Sequence, residues 1–347
     1  MTAALLNSVA GPIPAVPVEP RIELHVHLEG TIRAHTLVAL AERNGITLPV
    51  TSPAELADFY TFTDFNHFID VWNVTTNVLV GAPDFRRVVV DYAREAAAHG
   101  AVYVEGIFSP GQYYTRGIEP RELFEGFAEG AAEALEHTGV EVRLTPDIDR
   151  NRPLELSERI IRDAAAFGGP MLVGIGLGGR EDAAPAAHFR NLFALAADLG
   201  LAAVPHAGEV LGADSVRDGV ELLGARRIRH GFRALEDPSL VSELAERGIV
   251  LDICPTSNLR TRVVPHWEAH PLPALIASPL AITINTDDPA MFDTDLSTEH
   301  ALAHTAGASP ERLFRAGITG QLGGDATAQR LTALADAHWG ASPLTPA

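Results

Sequence analysis

Lysine is missing from this 347-residue chain: all 26 of its basic residues are arginine, against 45 aspartates and glutamates. That absence removes Schiff-base catalysis, the phosphate-cradling lysine of a P-loop, and any two-metal site bridged by a lysine. Cysteine is nearly missing too. Cys254 alone permits no internal disulfide and suits a reducing cytoplasm, the expected location. A net charge of -19 repels phosphate backbones, so no nucleic acid is expected as partner. No apolar run approaches the roughly 18 residues of a membrane span, so no membrane association is expected. The Ala-, Pro- and Val-rich residues 1–20 lack the basic start and apolar core of a secretory signal and read as a flexible arm. No Ser/Gly linker or charge block divides the remainder, so 21–347 is expected to be a single domain, compatible with a homo-oligomer.

What is present is a regular alternation of short β-branched runs with longer Ala/Leu/Glu/Arg segments of helical period. Strands are predicted at 22–26, 102–107, 140–144, 172–176, 202–206, 227–230, 249–254 and 281–286. Helices are predicted at 85–99, 120–137, 154–166, 186–199 and 238–247. This is an α/β pattern, and eight strands with interleaved helices predict a closed (β/α)8 TIM barrel. The stretch from Thr31 to Phe85 is too long for one connection. It carries the aromatic-rich segment Phe59 to Phe68 and is read as extra helices over the barrel mouth. That segment, with Trp72, serves as a lid over a ligand or packs an apolar face onto the barrel, and the two are compatible.

Potential metal ligands fall at the carboxyl ends of the predicted strands, where barrel enzymes build their active sites. His25 and His27, two apart on one strand, point to the same face. His206 ends the fifth strand, His230 the sixth, and Asp287 follows the eighth. A lone histidine at a strand end is usually a hydrogen-bonded core residue; four of them and an acid at one end of one sheet point to a metal site. Glu23 shares the face of His25 and is expected to find a hydrogen-bond partner inside the barrel.

In order along the chain stand H-V-H-L-E-G (25–30), Y-T-F-T-D-F-N-H-F-I (60–69), G-I-G-L-G-G (174–179), H-A-G-E (206–209), R-H-G (229–231), C-P-T-S-N (254–258) and N-T-D-D-P (285–289). From Arg21 to about Leu322 the chain thereby resembles the adenosine deaminase family of metal-dependent amidohydrolases. The resemblance implies one Zn²⁺ per chain on His25, His27, His206 and Asp287, a nitrogen and oxygen set suited to that ion. Such an ion lowers the pKa of water from about 15.7 to about 7, roughly 12 kcal/mol of easier ionisation. Glu209 matches the family's proton donor to purine N1, a role that requires a raised pKa. His230 matches the residue that orients the attacking water, Asp288 the one that holds purine N7, and Gly179 the glycine whose N–H approaches N3. Cys254 has no part in this scheme and reads as packing. The cytidine and transfer-RNA deaminases need a P-C-x-x-C motif that a one-cysteine chain lacks.

Two departures bear on substrate. The aspartate that usually reads the ribose 5′-hydroxyl is Glu29 here, and the aspartate often found in G-I-D-L-A-G is Gly176. Glu29 either fills the ribose space, as in related adenine deaminases, or reaches a differently placed hydroxyl. The leading expectation is deamination of adenosine or deoxyadenosine, with adenine and 6-aminodeoxyfutalosine as alternatives. Relatives acting on the last share much of the motif set but usually lack the L-E-G that follows His27. A different mononuclear hydrolase and a non-catalytic zinc-binding barrel are more remote; the second has no use for Glu209 and His230.

Overall fold

The computed structural model describes residues 19–49, 55, 59–62 and 65–341. Eight positions of parallel strand close on themselves. Arg21–His27 pairs with Ala101–Ile107, which pairs with Glu141–Leu144. The third position resumes at Asp147–Asp149 and pairs with Gly174–Gly178, which pairs with Ala202–Ala203. His206–Ala207 continues the fifth position and pairs with Arg227–His230, followed by Val250–Ile253 and Ala281–Ile284. A bridge between Val26 and Asp287 returns the eighth position to the first. There His27 N–H donates to Asp287 O at 2.7 Å and Asp287 N–H to His25 O at 3.1 Å. The register slips between Glu23 and Val26, and the Asn285 side-chain oxygen takes the Leu24 and His25 N–H groups at 2.7 and 3.2 Å. The predicted (β/α)8 barrel is therefore the observed fold.

Alternation along the first strand divides the layers. Ile22 and Leu24 pack outward with Phe314, and Val26 joins the core under the neighbouring helices. Glu23, His25 and His27 alternate with them. Glu23 finds its expected partners, accepting from the Tyr92 hydroxyl and from Thr286 N–H and hydroxyl at 3.1 and 2.7 Å. On the sixth strand the fully buried Arg227 donates to Asp252 at 2.6 Å, Glu105 at 2.8 Å, Gly320 O at 2.7 Å and Leu24 O at 2.9 Å. A buried guanidinium is tolerable only when its donors are so satisfied.

Prolines account for the largest difference from the predicted strands. Pro146 and Pro205 lack the N–H a ladder needs, so the third and fifth strands are each broken and resume on the far side. The fourth strand begins two residues later than predicted, after the short helix Gly169–Met171. Observed helices Ala82–Ala98, Pro120–Thr138, Leu154–Phe167 and Pro238–Glu246 match those expected within a few residues. The expected arm lies outside the described residues for 1–18, as does part of the aromatic segment. Phe62 and Phe68 of that segment pack with Phe292, and Phe68 and Trp72 also face a cavity over the barrel. Among the described residues, no helix is long and apolar enough to cross a membrane.

Candidate active site

At the carboxyl end of the barrel four potential ligand atoms converge. His25 Nε2 and His27 Nε2 each stand 3.3 Å from Asp287 Oδ1, and His206 Nε2 stands 3.2 Å from the first and 3.3 Å from the second. Four ligands held tetrahedrally at about 2.0–2.1 Å from one zinc ion would stand about 3.3 Å apart. The donor set therefore fits the ion in chemistry, and these four separations fit it in spacing. His206 Nδ1 lies 3.1 Å from Leu177 O, which only accepts, so Nδ1 carries the proton and Nε2 presents a bare lone pair. Burial keeps the imidazoles neutral: His25 and His206 are driven well below the ordinary histidine value and His27 to about 4. Burial pushes the Asp287 carboxyl upward, but the surrounding histidines pull it well below the usual carboxylate range.

Backbone strain aims two of these side chains. Asp287 and His230 sit at φ of 64° and 60°, a left-handed region that non-glycine residues seldom occupy. In that conformation Asp287 spends its main chain closing the barrel seam while its carboxylate turns to the histidines; Ser257 Oγ donates to its Oδ2 at 2.6 Å. His230 Nε2 stands 3.6 Å from Glu209 Oε2 and 3.8 Å from Asp287 Oδ2. Burial, opposed by His230 and assisted by Asp287 and Glu181, pushes the Glu209 carboxyl up to about 7. Asp288 is also buried, held well above its ordinary value by burial and by Asp287 and Glu29, and its Oδ1 has no hydrogen-bond partner among the described residues.

His27, His206, Glu209, His230, Asp287, Asp288 and Gly179 all face one cavity of about 450 Å³. Gly179 has φ of 81°, and a Cβ there would run into Asp149 and Asn151. Glu29 is placed differently. Fully buried, it accepts from Ser109 N–H at 2.8 Å and the Tyr113 hydroxyl at 3.2 Å, and it does not line the cavity, although Ser109 does. Cys254 is buried with Sγ 3.5 Å from His25 Nδ1, consistent with packing.

The third strand supplies residues that sequence reasoning missed. Asp147 pairs with Arg229, and its Oδ2 lies 3.4 Å from His206 Nδ1. Its carboxylate occupies the space a side chain on Gly176 would need. The signal was the register: Asp147 and Asp149 sit beside Gly176 and Gly178 on adjacent parallel strands. Gly176 thus marks a carboxylate delivered from the neighbouring strand, and the glycine run is more than a tight turn.

A parallel eight-stranded barrel with imidazoles and a carboxylate at its carboxyl mouth defines a metal-dependent hydrolase of the amidohydrolase class. The family model described as adenosine deaminase matches residues 20–336, and the chain belongs to that family. It is 50% identical to an aminodeoxyfutalosine deaminase of Acidothermus cellulolyticus over 89% of this chain and 88% of the relative. With an adenine deaminase of Streptomyces coelicolor it shares 37% identity over 79% of this chain and 80% of the relative. The crystal structure of adenine deaminase from Arthrobacter aurescens superposes with a TM-score of 0.88 at 31% identity, covering 93% of this chain and 100% of that one. A zinc-bound amidohydrolase from Burkholderia ambifaria superposes with a TM-score of 0.83 at 27% identity, over 94% and 96% of the two chains. The chain is accordingly a hydrolytic deaminase. Adenosine, the leading expectation from sequence, is not specifically supported by these relatives; its two alternatives are.

Proposed function

We propose that this enzyme hydrolyses the exocyclic amine of a 6-aminopurine to the 6-oxo form with release of ammonia, and that the purine is carried by a nucleoside of the 6-aminodeoxyfutalosine type. The observation that carries the reaction is the meeting, in one cavity, of the histidine–aspartate cluster with Glu209, His230, Asp288 and Gly179. In this reading residues 21–347 act as one catalytic domain, and one zinc ion binds His25, His27, His206 and Asp287. Bound there, the ion would make water easier to ionise at neutral pH. Glu209 gives its proton to N1, which would otherwise have to carry the negative charge pushed into the ring by the attack. His230, within reach of both Glu209 and Asp287, orients the attacking water, takes its proton and passes it to the exocyclic amine, which leaves as ammonia while the new C6 hydroxyl returns a proton to Glu209. Asp288, which lines the same cavity, holds N7. The open backbone at Gly179 admits N3.

Size supports the nucleoside. A cavity of about 450 Å³ falls in the roughly 300–1,000 Å³ range that encloses drug-sized ligands, with room beyond a bare base. The 50% identity to an aminodeoxyfutalosine deaminase points the same way. Adenine is the second reading, favoured by the superposition on an adenine deaminase. Ammonia release from zinc-loaded protein offered 6-aminodeoxyfutalosine, adenine, adenosine and 2′-deoxyadenosine tests both. The first is expected to exceed the others in kcat/KM by about tenfold or more, the scale that a few pocket contacts provide. Preference for adenine would establish the second reading, and silence on all four would remove both.

Asp147 gives a separate test. Partners of a ligand's second nitrogen typically contribute 10–100-fold in metal affinity, so Asp147→Asn is expected to weaken zinc binding by about that factor in chelator competition. Arg229 keeps Thr145 O and Oγ1 as acceptors but loses its carboxylate partner, so the affinity is read on variant protein whose circular dichroism matches the wild type. Unchanged affinity would show that Leu177 O alone orients His206.

A further inference from the structure

Residues 208–211, which carry Glu209, form no helix or strand, so their backbone N–H groups have no ladder to join. They are collected by one side chain. Glu181 is 4% exposed. Its Oε1 accepts from Gly208 N–H at 2.6 Å, and its Oε2 accepts from Glu209, Val210 and Leu211 N–H at 3.2, 2.7 and 2.9 Å. The Ser215 hydroxyl, in the first turn of helix Ala213–Leu222, donates to Oε1 as well. A carboxylate offers about four lone-pair sites, and these are saturated. Successive N–H groups closing on an anion form a nest, here filled by the protein's own carboxylate.

The anchor also lies two residues beyond Gly179, on the loop that follows the fourth strand. One carboxylate thereby ties the loop facing purine N3 to the loop facing purine N1. Arg150 reinforces the junction from the third strand, donating to Ala184 O at 2.8 Å and to His206 O at 2.9 Å. Neither the motifs of the sequence nor the proposed chemistry assigns a task to Glu181.

We propose that Glu181 is the positioning residue of this site: it holds the 208–211 turn so that the Glu209 carboxyl meets the ring nitrogen it protonates. The proposal rests on the reading of Glu209 as proton donor. Glutamine in place of Glu181 keeps the shape but turns an NH₂ group toward backbone donors, so the turn is released on one side. A misplacement of about 1 Å can cost on the order of a hundredfold in rate.

A double-mutant cycle in the zinc-loaded enzyme is the test, run with whichever of 6-aminodeoxyfutalosine or adenine it turns over faster. Glu181→Gln is expected to lower kcat by roughly tenfold to a hundredfold, with KM within about threefold and zinc content unchanged. In the Glu209→Gln background the same change is expected to cost less than about threefold, because the group it positions is already gone. Full kcat in Glu181→Gln, or an equal loss in both backgrounds, overturns the proposal. Should Glu181→Gln not fold, Ser215→Ala removes a single donor and runs the same cycle with an expected loss of about threefold; no loss, or an equal loss in both backgrounds, again overturns it. Wild-type activity in Glu209→Gln alone would instead remove the proton-donor reading, so the two failures are distinct.

Discussion

Glu209→Gln is expected to lower kcat by about two to four orders of magnitude while the protein keeps its full complement of zinc, the usual worth of a positioned acid. Glutamine preserves the volume and the contact with His230, 3.6 Å away in the native site, but has no proton to transfer at neutral pH. The pH profile should carry the same signature. Burial, the largest influence on this carboxyl, raises it to about 7, so the proton that an ordinary glutamate loses near pH 4 is still half retained at neutrality. The active form of this acid is the protonated one. Wild-type kcat/KM should therefore fall about tenfold per pH unit above that value, and the residual activity of Glu209→Gln should lack this alkaline limb. Retained activity in the variant, or an unchanged limb, would contradict the assignment.

How much of this was legible in the sequence depended on where the information lay. The candidate site residues were visible because each stands at the end of a β-branched run: His25 and His27 two apart on one strand, His206 and His230 closing two others, and Asp287 just past the eighth. Period and composition therefore predicted both barrel and cluster. Asp147 was hidden because Pro146 ends the apolar run before it, and T-P-D-I-D reads as a loop until the strand is seen to resume. Gly176 looked like the loss of a family carboxylate; only strand register shows Asp147 filling that space. Glu181 gave no local signal, since an acidic residue in an arginine- and aspartate-flanked loop is usually solvated. Its role arises from four backbone donors about thirty residues downstream, a relation that no periodicity encodes. Glu29 was noticed for the right reason, its departure from aspartate, yet its bonds to Ser109 and Tyr113 fold it into the wall, where a sequence cannot place it.

Removal of the metal is expected to abolish turnover and to leave the barrel standing. Backbone bonds between His27 and Asp287 and between Asp287 and His25 close the seam without any ion, and Asn285 bridges the slipped register beside them. Far-ultraviolet circular dichroism should thus be unchanged by exhaustive chelation. Stability should still fall, because an ion that binds only the folded state contributes RT ln(1 + [L]/Kd), about 2.7 kcal/mol at a hundredfold excess over Kd. For a chain of this length that corresponds to a drop of about 4 °C in Tm. Zinc added back should restore both activity and Tm at one ion per chain, measured by elemental analysis. The absence of lysine bears on that stoichiometry, because no lysine is available to bridge a second ion. Two ions per active chain, or full activity in metal-free protein, would overturn the zinc assignment and the hydroxide mechanism built upon it. Activity lost at unchanged Tm would mean that the ion binds too weakly, at the concentration used, to contribute to folding, and would direct attention to how Asp147 and Leu177 hold His206.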